Sequence, residues 1–179
     1  MYIWQGADVD CQLGEIKKVT KEIEDRIGFA HSNFTLPLHI SFKQSYQVED
    51  DVADEVIDLV SDYFKTLKPF EISVKGIEHF GCIVWISTDW SERINEITDN
   101  FNRLLLEKYS VPIHLYDTDR RYHVTMFMDD DEKKVSRAYE AVKDVALPTR
   151  LRIDKLVIGT SPVGELGTYK VIKTIELSE

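Results

Sequence analysis

The sequence predicts an α+β chain built from two similar halves. Stretches with apolar residues every three or four positions alternate along the chain with stretches of two-residue alternation. The order strand, helix, strand, turn, strand that follows His39 also recurs after His123, 84 residues further on. At 179 residues, 43% hydrophobic and 30% charged, the chain has the size and composition of one globular domain.

Met1–Gln5 is a short apolar, β-prone stretch. Leu13, Ile16, Val19, Ile23 and Ile27 then predict a helix from about Gln12 to Ile27 with one buried face. Ser32–Leu36 reads as a loop, and Pro37 leads into a strand reaching Phe42. A second helix, Glu49–Leu67, lines one side with Val52, Val56, Ile57, Val60, Phe64 and Leu67 and ends at Lys68-Pro69. Phe70, Ile72 and Val74 alternate with Glu71, Ser73 and Lys75, which predicts a half-buried strand over Phe70–Ile77. Gly81 opens a more continuously apolar strand, Cys82–Ile86. Asp89 or Ser91 caps a third helix carrying Ile94, Ile97, Phe101, Leu104 and Leu105. An irregular stretch, His114–Arg121, leads to a strand over Tyr122–Met128. A helix over Asp129–Val145 follows, with acidic residues in the first turn, where the helix dipole favours them. Leu151–Ile158 and Tyr169–Leu177 are the last two strands, joined by a loop from Gly159 to Gly167.

The spacing inside the halves agrees. His39 lies 31 residues before Phe70 and 44 before Ile83; His123 lies 27 before Arg150 and 46 before Tyr169. One domain with halves over about 1–88 and 89–179 is the expectation. A net charge of −10 argues against a protein that coats long or duplex nucleic acid, since such binding draws on many phosphate contacts from Lys and Arg. A small anionic ligand in a locally basic cleft remains compatible. Two cysteines, Cys11 and Cys82, are too few for a disulfide framework, the start lacks a signal-peptide pattern, and no apolar run approaches the length of a membrane span. A cytoplasmic monomer with no membrane partner is therefore expected.

The chemistry sits on two strands, Leu38-His39-Ile40-Ser41-Phe42 and Tyr122-His123-Val124-Thr125-Met126. Strand alternation puts His39 with Ser41 on one face and His123 with Thr125 on another, each pair backed by two apolar residues. From average composition, a given histidine has only about a 2–3% chance of a hydroxyl residue at +2 between apolar neighbours. Two of five histidines meet the pattern, at equivalent points of the repeat. Two imidazoles suit phosphoester chemistry: one neutral ring takes a proton and one cationic ring gives one, while the hydroxyls hold the non-bridging oxygens. A bell-shaped activity profile between roughly pH 5 and 8 is expected. No cofactor or metal is required, and hydroxyls are poor zinc ligands.

Paired His-x-Ser/Thr strands in a duplicated α/β chain resemble the two-histidine phosphoesterase superfamily, whose members include bacterial 2′-5′ RNA ligase-like proteins and cyclic phosphodiesterases. The likeness covers nearly the whole chain. The tail, Leu156-Val157-Ile158 with Ser161, then Gly167-x-Tyr169, is similar to the family's closing strands. The resemblance implies a bilobal fold with two antiparallel sheets facing a central cleft and helices outside. It implies His39 and His123 as acid and base, Ser41 and Thr125 as phosphate ligands, and a nucleotide or RNA-end substrate with a 2′,3′-cyclic or 2′-5′ phosphodiester. Tyr122 departs from the family, which often has Pro before the second histidine. The composition favours hydrolysis over ligation of tRNA halves. The alternatives left open are 2′-5′ RNA ligase activity, a nucleotide- or RNA-binding module without turnover, and a metal hydrolase using both histidines and an Asp.

Secondary candidates for substrate binding are Arg121, which shares the His123 face, Lys43 on the His39 face, and Tyr46 and Tyr169 as stacking rings. Trp85 and Trp90 read as core or rim. His31, His79 and His114, in or near loops without hydroxyl partners, read as structural.

Overall fold

The computed structural model describes residues 1–29 and 36–178. His31 and most of the expected Ser32–Leu36 loop lie outside the described residues. In chain order the elements are β1 (Tyr2–Asp8), α1 (Gly14–Ile27), β2 (His39–Ser41), β3 (Tyr46–Gln47), α2 (Ala53–Lys65), β4 (Phe70–Phe80) and β5 (Ile83–Thr88). They continue with α3 (Glu92–Tyr109), β6 (His123–Met128), α4 (Glu132–Val142), β7 (Arg150–Ile153), β8 (Lys155–Ser161) and β9 (Lys170–Glu176). The class is α+β, as the periodicities predict.

The four helices form where their spacing predicts. α1 buries Ile16, Thr20 and Ile23 and stops at Gly28, whose φ of 76° lies in the left-handed region that favours glycine. Asp131 caps α4 by accepting the Lys133 N–H, so the acidic run before that helix satisfies its first turn. α1 and α4 pack together over β4, β5 and β6, while α2 packs on α3 and β9. Among the described residues no helix is long and apolar enough to cross a membrane.

Two sheets are expected, but the strands join in one antiparallel path, β7-β4-β5-β6-β2-β1-β8-β9, with β3 paired to β1. The join is thin. β2 is three residues long and meets β6 through the single pair Ile40–Val124. Four strands of the path lie on either side of it, one set carrying His123 and the other His39. Each set mixes the two halves of the sequence: β8 lies between β1 and β9, and β5 lies between β4 and β6.

Leu151–Ile158 is not one strand. β7 pairs with β4, and β8 pairs with β1 and β9, at opposite ends of the path. Residues 151 and 153 are buried, 154 and 155 half-buried and polar, and 156 is buried again. The two-residue alternation slips by one at Asp154-Lys155, where the chain changes sides.

Candidate active site

The β2–β6 join brings the two histidine strands side by side. His39 and His123 line one cavity of about 760 Å³, together with Trp4, Ser41, Trp85, Arg121 and Tyr169. The two rings are held alike. His39 Nδ1 lies 2.7 Å from the Pro37 carbonyl and His123 Nδ1 lies 2.5 Å from the Arg121 carbonyl, in each case the residue two positions earlier. A carbonyl can only accept, so each Nδ1 carries a proton and donates, which leaves Nε2 as the basic nitrogen available to the cleft.

Each ring also has a tryptophan from the neighbouring strand. Trp4 on β1 meets His39 edge-on at 4.2 Å between ring centres, and Trp85 on β5 lies 4.5 Å from His123. Glycines make room for the first. A Cβ on Gly6 would stand 2.7 Å from the Trp4 ring and 3.3 Å from His39 Cδ2, and one on Gly159 would stand 3.2 Å from Trp4. Desolvation by these surroundings is the largest influence on both histidines. It takes His39 down to about 4, partly offset by its bond to Pro37 and reinforced by the charge of His123. His123 is also lowered by burial, against the raising effect of the Arg121 carbonyl.

Ser41 accepts a 3.0 Å bond from Trp4 Nε1, so its own O–H stays free to donate. Thr125 shares the half-buried face of His123 and lies across from Trp85 on β5, but it is not among the residues walling the cavity. Arg121 is exposed over the Phe80 ring at 5.8 Å and has no ion pair among the described residues. Its neighbour Arg120 is committed to Asp99, 2.5 Å away, and to the backbone of Asp117 and Asn95.

Three expected substrate contacts sit differently. Lys43 lines the cleft, but its ammonium is buried in an ion pair with Asp117 and bonds the Pro112 carbonyl at 3.0 Å. Tyr46 is core, its ring beneath the Lys43 ammonium and its hydroxyl buried. Tyr169 lines the cleft but packs against Trp4 and Val157 and is 8% exposed, which leaves little face for stacking. In each case burial of a long polar side chain requires an internal partner, or the core claims the ring.

The sequence reading does not single out Trp4, Gly6 or Asp117. Trp4 and Trp85 stand 81 residues apart, close to the 84 that separate the histidines, and that match is the available signal. Asp117 accepts from Lys43, Gln44 N and His114 N, and so ties the end of β2 to the 112–121 segment that leads into β6. Tyr122 is buried with its hydroxyl 3.0 Å from Asn95 and 3.1 Å from Thr98, anchoring β6 to α3. His79 and His114 bond local backbone, as expected of structural histidines. Among the described residues no group of three or more His, Cys, Asp or Glu side chains could hold a metal ion.

Fold and site define a class of α+β chains that bring two His-x-Ser/Thr strands together over one cleft. The model of the 2′-5′ RNA ligase superfamily matches residues 15–164. The chain belongs to this superfamily, the two-histidine phosphoesterases that its motifs resemble. Solved structures with the same fold include E. coli LigT complexed with NADP+, at TM-score 0.61 and 12% identity over 99% of this chain and 97% of that one. TT0787 of Thermus thermophilus aligns at TM-score 0.62 and 12% identity over 99% and 98%. E. coli LigT complexed with 3′-AMP aligns at 0.58 and 12% over 99% and 98%. No curated protein matches the chain.

Proposed function

We propose that the protein is a metal-independent phosphodiesterase acting on a 2′,3′-cyclic or 2′-5′ phosphodiester of a nucleotide or RNA end. The observation that carries this reading is the pair of rings sharing one cleft, each with Nδ1 fixed by a carbonyl and Nε2 left over. Binding of nucleotides by LigT, seen with NADP+ and 3′-AMP, supports the substrate class.

His39, the more strongly lowered of the two, is neutral and takes a proton from water through Nε2. The water oxygen attacks phosphorus, the bond to the leaving oxygen breaks, and His123 as imidazolium returns a proton to that oxygen. Ser41 O–H and the Arg121 guanidinium face the charge that develops on the non-bridging oxygens. Thr125, its counterpart in the other half, does not wall the cavity and is given no phosphate contact in this scheme.

Incubation with 2′,3′-cyclic nucleotides and short 2′-5′-linked oligonucleotides, with and without chelator, tests the reading. Turnover that survives chelation and disappears in both His39→Ala and His123→Ala is expected. Turnover lost on chelation would assign the chemistry to a metal. Tight binding without turnover would make the protein a binding module.

A further inference from the structure

The cleft does not end at His123. A second cavity of about 230 Å³ adjoins it and shares Trp85, Arg120, Arg121, Tyr122 and His123 as a common wall. Its own walls include Lys75, Glu78, Asp89 and Trp90. Trp90 is 73% exposed and pairs with no other ring among the described residues. An indole presented this way beside a cleft is a stacking surface for a flat ring, and stacking of this kind tolerates any base.

Charge limits what lies between the two cavities. Of the cations on the shared wall, Arg120 is paired with Asp99, and Arg121 is the guanidinium left without an ion pair among the described residues. Lys43, on the far side, is neutralised by Asp117. In the second cavity Lys75 is outnumbered by Glu78 and Asp89. The site therefore has cationic capacity for one phosphate, placed at the wall that both cavities share, with space on either side of it.

We infer that the substrate is a dinucleoside monophosphate, one phosphodiester with a nucleoside on each oxygen, and that Trp90 stacks the base of the leaving nucleoside. This rests on the phosphodiesterase reading and chooses within it. Water adds to phosphorus, the bond to the leaving nucleoside's oxygen breaks, and His123, on the wall of both cavities, protonates that oxygen. The products are a nucleoside held at Trp90 and a nucleoside monophosphate in the larger cleft. A 2′,3′-cyclic mononucleotide would leave the second cavity unused, and an additional phosphate there would meet only Lys75, set against the Glu78 and Asp89 carboxylates.

The test compares kcat/KM for 2′-5′-linked diadenosine monophosphate, its 5′-phosphorylated form and 2′,3′-cyclic AMP, in the wild type, Trp90→Ala and Trp90→Phe. The wild type should prefer the dinucleotide and gain nothing from the 5′-phosphate. Trp90→Ala should lose roughly tenfold on the dinucleotide alone, and Trp90→Phe should keep most of the activity. Equal losses on both substrates, no loss on either, or a gain of roughly tenfold from the added phosphate would overturn the assignment. Hydrolysis of cyclic AMP alone would overturn it while leaving the phosphodiesterase reading standing. Turnover of no substrate by the wild type would remove both.

Discussion

At the scale of single residues, burial decides how the two histidines divide the work in the proposed mechanism. His39 is taken down to about 4 and His123 is lowered from 6.5, so both limbs of the pH profile move towards acid. The base must be neutral, so activity falls as pH drops through the value of His39. The acid must be protonated, so activity also falls as pH rises through that of His123. A bell in kcat/KM with its acid limb near pH 4 and its alkaline limb below 6.5 is expected, more acidic than the window of roughly pH 5 to 8 that free imidazoles suggest. A bell centred above about pH 7 would contradict the assignment of roles. Gly6 is the second test at this scale. In Gly6→Ala the new methyl would stand 2.7 Å from Trp4 and 3.0 Å from the Ile40 carbonyl, so the indole must shift, and it carries with it the imidazole of His39 that it meets edge-on and that the methyl itself approaches to 3.3 Å. Activity should fall roughly 10- to 100-fold, the cost of displacing a reacting group by about an ångström, while circular dichroism shows the fold retained. That His39, His123 and Ser41 share one cleft was legible because strand alternation fixes their face from sequence alone; Thr125 shares the His123 face but does not wall the cavity. Gly6 was not legible, since its importance comes from an indole that reaches it only after β1 and β2 have paired.

At the scale of elements, the Lys43–Asp117 pair ties together the segments that flank the two histidine strands. β2 and β6 share one residue pair, so little backbone bonding holds them in register. The buried ion pair adds a link from the end of β2 to the segment ahead of β6, with both side chains at 2% exposure or less. Lys43→Met should destabilise the protein by about 3–5 kcal/mol in urea unfolding, because the Asp117 carboxylate would be left buried without its cation. The double variant Lys43→Met, Asp117→Leu should recover most of the loss, since removing both charges removes the desolvation cost. If the single variant proved as stable as the wild type, Asp117 would have to be reaching water. Sequence placed Lys43 on the correct face but could not show its partner, 74 residues away. The helices were legible to within a turn because their apolar stripes are long. The break between β7 and β8 was visible only as a slip in alternation at Asp154-Lys155, which is easily read through when Leu156–Ile158 resumes an apolar run.

At the scale of the whole molecule, the repeat read from spacing and the order of the strands lead to different folding units. The sequence divides near residue 88, yet β8 and β9 complete the side of the sheet begun by β1 and β2, and β4 and β5 complete the side that holds β6. The helices follow suit, with α1 and α4 packed together from opposite ends of the chain. A fragment over 1–88 would keep β1 and β2 but expose the β1 edge that β8 covers, and would leave α1 without α4. A fragment over 89–179 would hold β6 without β5, and β8 without β1. Unpaired strand edges of this kind favour aggregation over folding. The intact chain should therefore unfold in one cooperative step, with far-UV circular dichroism and tryptophan fluorescence giving coincident urea transitions. Trp4 and Trp85 report on the two sides of the sheet path, so two separated fluorescence transitions would show that the sides fold independently and that the single Ile40–Val124 pair does not couple them.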